Sequence, residues 1–161
     1  MKHITKFGVA ALAALALTTT AASAQIIQMS AILSAGEETP ALLSGASGTA
    51  EVSVDSGARE LSIVLRVTNL PTTSTAGHIH VGPKGVAGPI VIDFPNIPGR
   101  IGDFTVAFRV NQAALRPQPA QGITTMEDVI QAITGGNAYV NIHSTTNPGG
   151  EIRGQLSLVE R

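Results

Sequence analysis

Glu60-Leu61-Ser62-Ile63-Val64-Leu65-Arg66-Val67 is the stretch that decides the fold. Leu61, Ile63, Leu65 and Val67 recur at period two, which in a strand puts all four on one face. The pattern predicts a half-buried strand. The same alternation recurs in Ala50, Val52 and Val54, in Phe104, Val106, Phe108 and Val110, in Ala138, Val140 and Ile142, and in Ile152, Leu156 and Leu158. Turns containing glycine, proline or asparagine separate these runs. Short strands at this spacing predict an all-β domain, an antiparallel sandwich or barrel. One segment departs from period two: Met126, Val129, Ile130 and Ile133 recur at i, i+3, i+4 and i+7. Thr124, with Glu127 three residues on, predicts a capping box, and Gly135-Gly136 a stop, so one short amphipathic helix is expected near residues 126–133. Residues 116–122, with Pro117 and Pro119, read as a connecting loop.

The chain begins with Lys2 and Lys6 around the start of an apolar run over residues 7–17, followed by Ala22-Ser23-Ala24. Charge, apolar core and a small-x-small exit make residues 1–24 a cleavable export signal, too short in its core to span a bilayer. Residues 25–161 are then one mature β domain with Gln25 first, expected in the periplasm or outside the cell. At 137 residues it is long enough to bury a core of its own, so the absence of cysteine is tolerable in an oxidising compartment. Without Lys2 and Lys6 there remain 8 basic and 11 acidic residues, a net charge of −3, with no basic cluster. That argues against a nucleic-acid partner. No later apolar run reaches membrane-spanning length.

The mature chain has three histidines, His78, His80 and His143, and all fall in strand-like segments. In Gly77-His78-Ile79-His80-Val81 both imidazoles leave one face while Ile79 and Val81 enter the core. They stand about 7 Å apart along the strand, a gap that side chains can close onto one ion. In Tyr139-Val140-Asn141-Ile142-His143 the phase is equivalent, with Tyr139, Asn141 and His143 directed outward. Should the two strands be neighbours, three neutral imidazoles converge on the outer face of the sheet. Imidazoles without thiolates suit Cu(II) or Zn(II), whereas calcium would want more carboxylates. The expected metal ligands are therefore His78, His80 and His143, and the expected cofactor is copper, with zinc fitting the same donors. Water, Asp93 and Glu151 are all open for a fourth position. The bland alternative is a set of surface histidines in a hydrogen-bond network. Free imidazole titrates near pH 6.5 and only its neutral form binds metal, so affinity is expected to fall between about pH 6 and 5.

Tyr139 and Asn141 share the histidine face as candidates for orienting an imidazole. Glu151 and Arg153 lie at i, i+2 and read as cross-strand or turn anchors. Glu37 and Glu38, ahead of Pro40, read as solvated loop carboxylates, and Pro148-Gly149-Gly150 as a tight turn. Ser144 and His143 point to opposite faces of a strand and make no nucleophile–base pair. The chain has no Gly-x-Ser-x-Gly, phosphate loop or paired catalytic carboxylates.

Four segments carry a family likeness: Leu33-Ser34-Ala35-Gly36-Glu37-Glu38-Thr39-Pro40, Ala76-Gly77-His78-Ile79-His80-Val81-Gly82-Pro83, Gly136-Asn137-Ala138-Tyr139-Val140-Asn141-Ile142-His143-Ser144, and Asn147-Pro148-Gly149-Gly150-Glu151-Ile152-Arg153-Gly154-Gln155-Leu156. Together they resemble the CHRD domain, named after chordin and found also in bacterial secreted proteins. The resemblance covers nearly the whole mature chain. It implies an antiparallel immunoglobulin-like or superoxide-dismutase-like β-sandwich with no established enzymatic activity. Three functions compete. The first is an exported copper-binding protein for copper handling or tolerance, with the metal ion as its partner. The second is a non-catalytic extracellular structural or protein-interaction module, engaging a protein partner or a second copy of itself. The third is a copper-only, dismutase-like enzyme, suggested by the His-x-His strand. The dismutase uses a fourth copper histidine, a bridging histidine, further zinc ligands and usually a disulfide, which three histidines without cysteine cannot supply. A binding protein rather than an enzyme is the expectation.

Overall fold

A computed structural model describes residues 26–160; the predicted export signal, residues 1–24, lies outside the described residues. In chain order the elements are β1 (Ile26–Ser34), β2 (Ser47–Asp55), β3 (Glu60–Leu70), β4 (Ser74–Val81), β5 (Ile90–Asp93), β6 (Gly102–Val110), α1 (Met126–Thr134), β7 (Ala138–Ser144), β8 (Ile152–Gln155) and β9 (Ser157–Leu158). The Glu60 stretch is β3, which pairs with β2 on one side and β6 on the other. Its inward phase is sealed by cross-strand neighbours: Leu61 stands opposite Val54, Ile63 opposite Val52 and Leu65 opposite Ala50, all buried. Every strand pairing is antiparallel, in the order β5-β4-β7-β8-β1-β2-β3-β6, with β9 added to β1. Phe94, just past β5, packs against Phe108 of β6 with ring centroids 5.0 Å apart, so the two ends of this path meet. The result is an all-β, barrel-like sandwich with one short helix, as the alternation predicts.

Two strands escaped the alternation. In β1, Met29, Ala31 and Leu33 are buried, but Ile32 is 80% exposed, so apolar residues occupy both phases and blur the period. β5 has four residues, too few to display a period. The helix begins at Met126 as expected, but its cap lies one residue later: Thr125, not Thr124, is the N-cap, and the box partner is Asp128, not Glu127. The Thr125 hydroxyl accepts from the Asp128 amide at 3.2 Å, and Asp128 accepts from the Thr125 amide at 2.8 Å. Asp128 gathers both threonines, accepting from the Thr124 amide at 2.9 Å as well, while a bridge between Ile123 and Gln118 precedes them. Met126, Val129, Ile130 and Ile133 then enter the core as the 3.6 period requires. β7 is buried along its whole length, on both faces. That decides the character of the site. Among the described residues no helix is long and apolar enough to cross a membrane.

Candidate metal centre

Register brings the histidines together. Four strands lie side by side in the order β5-β4-β7-β8, and one row across them reads Asp93, His78, Asn141, Arg153. The next row holds His80, Tyr139 and Gln155, and the row before it pairs Ala76 with His143. Side chains in register across a sheet share a face, so His78 and His80 from β4 rise beside His143 from β7. One ring nitrogen from each histidine lies within 4.8 Å of the other two.

The face they share is interior, which corrects the expectation of an outer, polar face: all three histidines are only 8–9% exposed. The loop over residues 82–89 and the turn over residues 147–150 cover them. Arg153 holds the loop down, donating to the Val86 carbonyl at 2.8 Å with its guanidinium 3.4 Å from the centroid of the Tyr139 ring. Tyr139 in turn stacks on His80, ring centroids 4.8 Å apart and nearly parallel. Gly88 lets the loop come this close. A Cβ there would stand 1.7 Å from the Val81 carbonyl oxygen, a gap no other residue could accept.

Backbone carbonyls select the ring tautomers. His80 Nδ1 lies 2.9 Å from the Gly88 oxygen, and His143 Nδ1 lies 2.9 Å from the Pro148 oxygen. A carbonyl only accepts, so both Nδ1 atoms carry the hydrogen and both Nε2 atoms are left with bare lone pairs. His80 Nε2 is buried without a partner. His78 is placed between two acceptors, with Nδ1 2.9 Å from His143 Nε2 and Nε2 3.3 Å from Asp93 Oδ1. A neutral imidazole has one ring hydrogen and cannot serve both.

A second hydrogen on His78 would satisfy both neighbours, but the fold disfavours it. Burial, with His143 and His80 close by, lowers its pKa from 6.5 to about 4, against the pull of Asp93. Burial likewise takes His80 to about 4, against the Gly88 hydrogen bond, and lowers His143 against its bond to Pro148. At neutral pH the cluster is three uncharged imidazoles.

Of the fourth-ligand candidates, both carboxylates are engaged. Asp93 touches His78 through one oxygen and the Arg116 guanidinium through the other. Glu151 is fully buried and accepts from Ser44, from Ser144 at 2.7 Å and from Asn147 at 2.6 Å. Burial alone would raise its pKa, but these hydrogen bonds outweigh burial and hold it below the usual value. Glu151 and Arg153 are thus turn and loop anchors, as their spacing suggests. Glu38 is not a solvated loop carboxylate. A 3-10 turn over Ala35–Glu37 carries it back over the sheet, where it accepts from Asn141 Nδ2 at 2.8 Å. Burial pushes its pKa from 4.5 up to about 7, against the opposing effects of Arg153 and the Asn141 hydrogen bond. Glu37 does reach solvent, paired with Lys84 at 3.0 Å.

These shifts set a pH dependence. Between pH 6.5 and about 4 the unfolded chain binds protons that folded His78 and His80 refuse, so stability falls as the pH falls through that window. Glu38 opposes this between about 7 and 4.5, where the folded state takes up the proton first. Two imidazoles outweigh one carboxyl. Urea midpoints of the metal-free protein should therefore decline from pH 6.5 to 4, and a flat or rising profile contradicts the assignment.

The CHRD domain family model matches residues 29–156, a span that holds both histidine strands and both covering segments. No curated protein matches the chain. With most of its length matched, and with an antiparallel β fold as the resemblance implies, the chain belongs to the CHRD domain family.

Proposed function

We propose that this is an exported copper-binding protein of the periplasm or cell exterior, acting in copper handling or tolerance, with His78, His80 and His143 as ligands. One observation carries the reading: the cluster runs out of ring hydrogens. Three buried imidazole nitrogens face a shared space with at most one hydrogen among them, and a cation relieves what a proton cannot. Two of the rings are oriented by backbone carbonyls, the arrangement that fixes metal-ligating histidines.

Three imidazoles without a thiolate are donors that suit copper, and zinc fits the same set. The covering loop argues for holding an ion rather than turning over a substrate, and an exported location suits the signal-like start of the chain.

Protein purified from the periplasm without a histidine tag should carry copper by mass spectrometry and take up one Cu(II) per chain in titration. Because burial already keeps His78 and His80 neutral to about pH 4, binding should persist below pH 6 and weaken only near pH 5 to 4. Absence of copper together with no Cu(II) uptake refutes the reading.

A further inference from the structure

We propose that Asn141 is a fourth ligand of the same ion, binding through its side-chain oxygen. The inference rests on the metal-binding reading above and adds a donor to it. Asn141 is the direct cross-strand partner of His78 and stands two residues before His143 on the same strand. Its side chain therefore rises from the histidine face, next to both rings.

Asn141 is 3% exposed, and its amide has one partner. Nδ2 donates to Glu38 Oε1 at 2.8 Å. With the NH2 turned to Glu38, Oδ1 is the atom left over. Oδ1 is buried and has no partner. Glycine at position 150, at φ 144°, makes room for this arrangement: a Cβ there would lie 2.7 Å from Asn141 Nδ2 and from both Glu38 oxygens.

Among the described residues three buried side-chain polar atoms lack a partner, His80 Nε2, Asn141 Oδ1 and Gln155 Oε1, all on residues of this one face. All three are bare acceptors, and Asn141 is the one set directly beside His78, whereas Tyr139 stands between Gln155 and His80. A cation beside His80 Nε2 and Asn141 Oδ1 would satisfy both at once, and a neutral amide oxygen would add a donor without adding charge. Of the competing carboxylates, Glu151 is engaged elsewhere by Ser44, Ser144 and Asn147, and Asp93 gives one oxygen to Arg116 while the other lies 3.3 Å from His78 Nε2.

The test compares the mature protein with Asn141→Leu, close in size but without the oxygen, and Asn141→Asp, which keeps an oxygen and adds charge. Cu(II) affinity is measured by chelator competition, the ligand field by electron paramagnetic resonance and folding by urea unfolding. Asn141→Leu should weaken Cu(II) about 10- to 100-fold and change the copper hyperfine splitting, while Asn141→Asp retains binding. Wild-type affinity and an unchanged spectrum in Asn141→Leu, with binding still lost in His143→Ala, would overturn this inference and leave the three-histidine site standing. If wild-type protein binds no Cu(II), both fail. Should Asn141→Leu not fold, a crystal structure of the copper-loaded wild type decides: Oδ1 in the ion's coordination shell supports the inference, and a water in that place refutes it.

Discussion

His143→Ala should lower Cu(II) affinity by at least about 100-fold, with losses of the same order expected in His78→Ala and His80→Ala. Removing a partner that merely orients a ligand costs 10- to 100-fold, and removing the ligand itself costs no less. His143 is central because its Nε2 is the atom 2.9 Å from His78 and its Nδ1 is tied to the Pro148 carbonyl. The same substitution also touches the fold. Alanine leaves the Pro148 oxygen without its donor inside a covered site, at about 1–3 kcal/mol, where a histidine on an outer face would cost almost nothing. Competition titration and urea unfolding on each variant separate the two effects. Full Cu(II) affinity in all three variants sinks the histidine site. Copper-dependent superoxide turnover abolished by His143→Ala would instead move the protein to the enzyme reading.

Glu151→Ala should be the most destabilising single substitution at the polar end of the sheet, by about 3–5 kcal/mol. The carboxylate is fully buried and receives hydrogen bonds from Ser44, Ser144 and Asn147, each of which alanine would leave without its acceptor. Hydrogen bonds to a charged group contribute about 1.5–3 kcal/mol each, and they do not add fully because freed donors find partial substitutes. The loss should reach the proposed metal site through the backbone. Asn147 opens the turn whose Pro148 carbonyl sets the His143 tautomer, so slackening that turn should weaken Cu(II) binding although Glu151 is no ligand. The folded pKa of Glu151 is held below 4.5, so its contribution is present above that pH and is lost as the pH falls through the folded value. Denaturant unfolding at pH 7 measures the effect, and a change below about 1 kcal/mol would show that the network carries little of the fold.

Much of the architecture was legible. Leu61, Ile63, Leu65 and Val67 announce β3 because period two depends only on how one strand meets one core. β1 was hidden because Ile26 and Ile32 face outward, and the cap lies one residue on because Thr124-Thr125 and Glu127-Asp128 offer two overlapping boxes that local sequence does not separate. At the site, the shared face of His78, His80 and His143 could be read from phase alone. Glu38 could not: its isolated motif is that of a loop acid, and its partner Asn141 lies 103 residues away.

By itself the sequence determined the β class, the single helix and the set of three histidines on strands of matching phase, because each follows from local periodicity. Only the tertiary structure decided that the histidine face is interior. Whether a face is wet or dry depends on what crosses above it, and here that cover comes from residues 82–89, clasped by Arg153, and from residues 147–150, tied to His143 through the Pro148 carbonyl. The same long-range packing lowers the imidazole pKa values, selects their tautomers and leaves Asn141 Oδ1 without a partner. Burial and the supply of hydrogens are properties of the assembled neighbourhood, and no stretch of the chain encodes them alone.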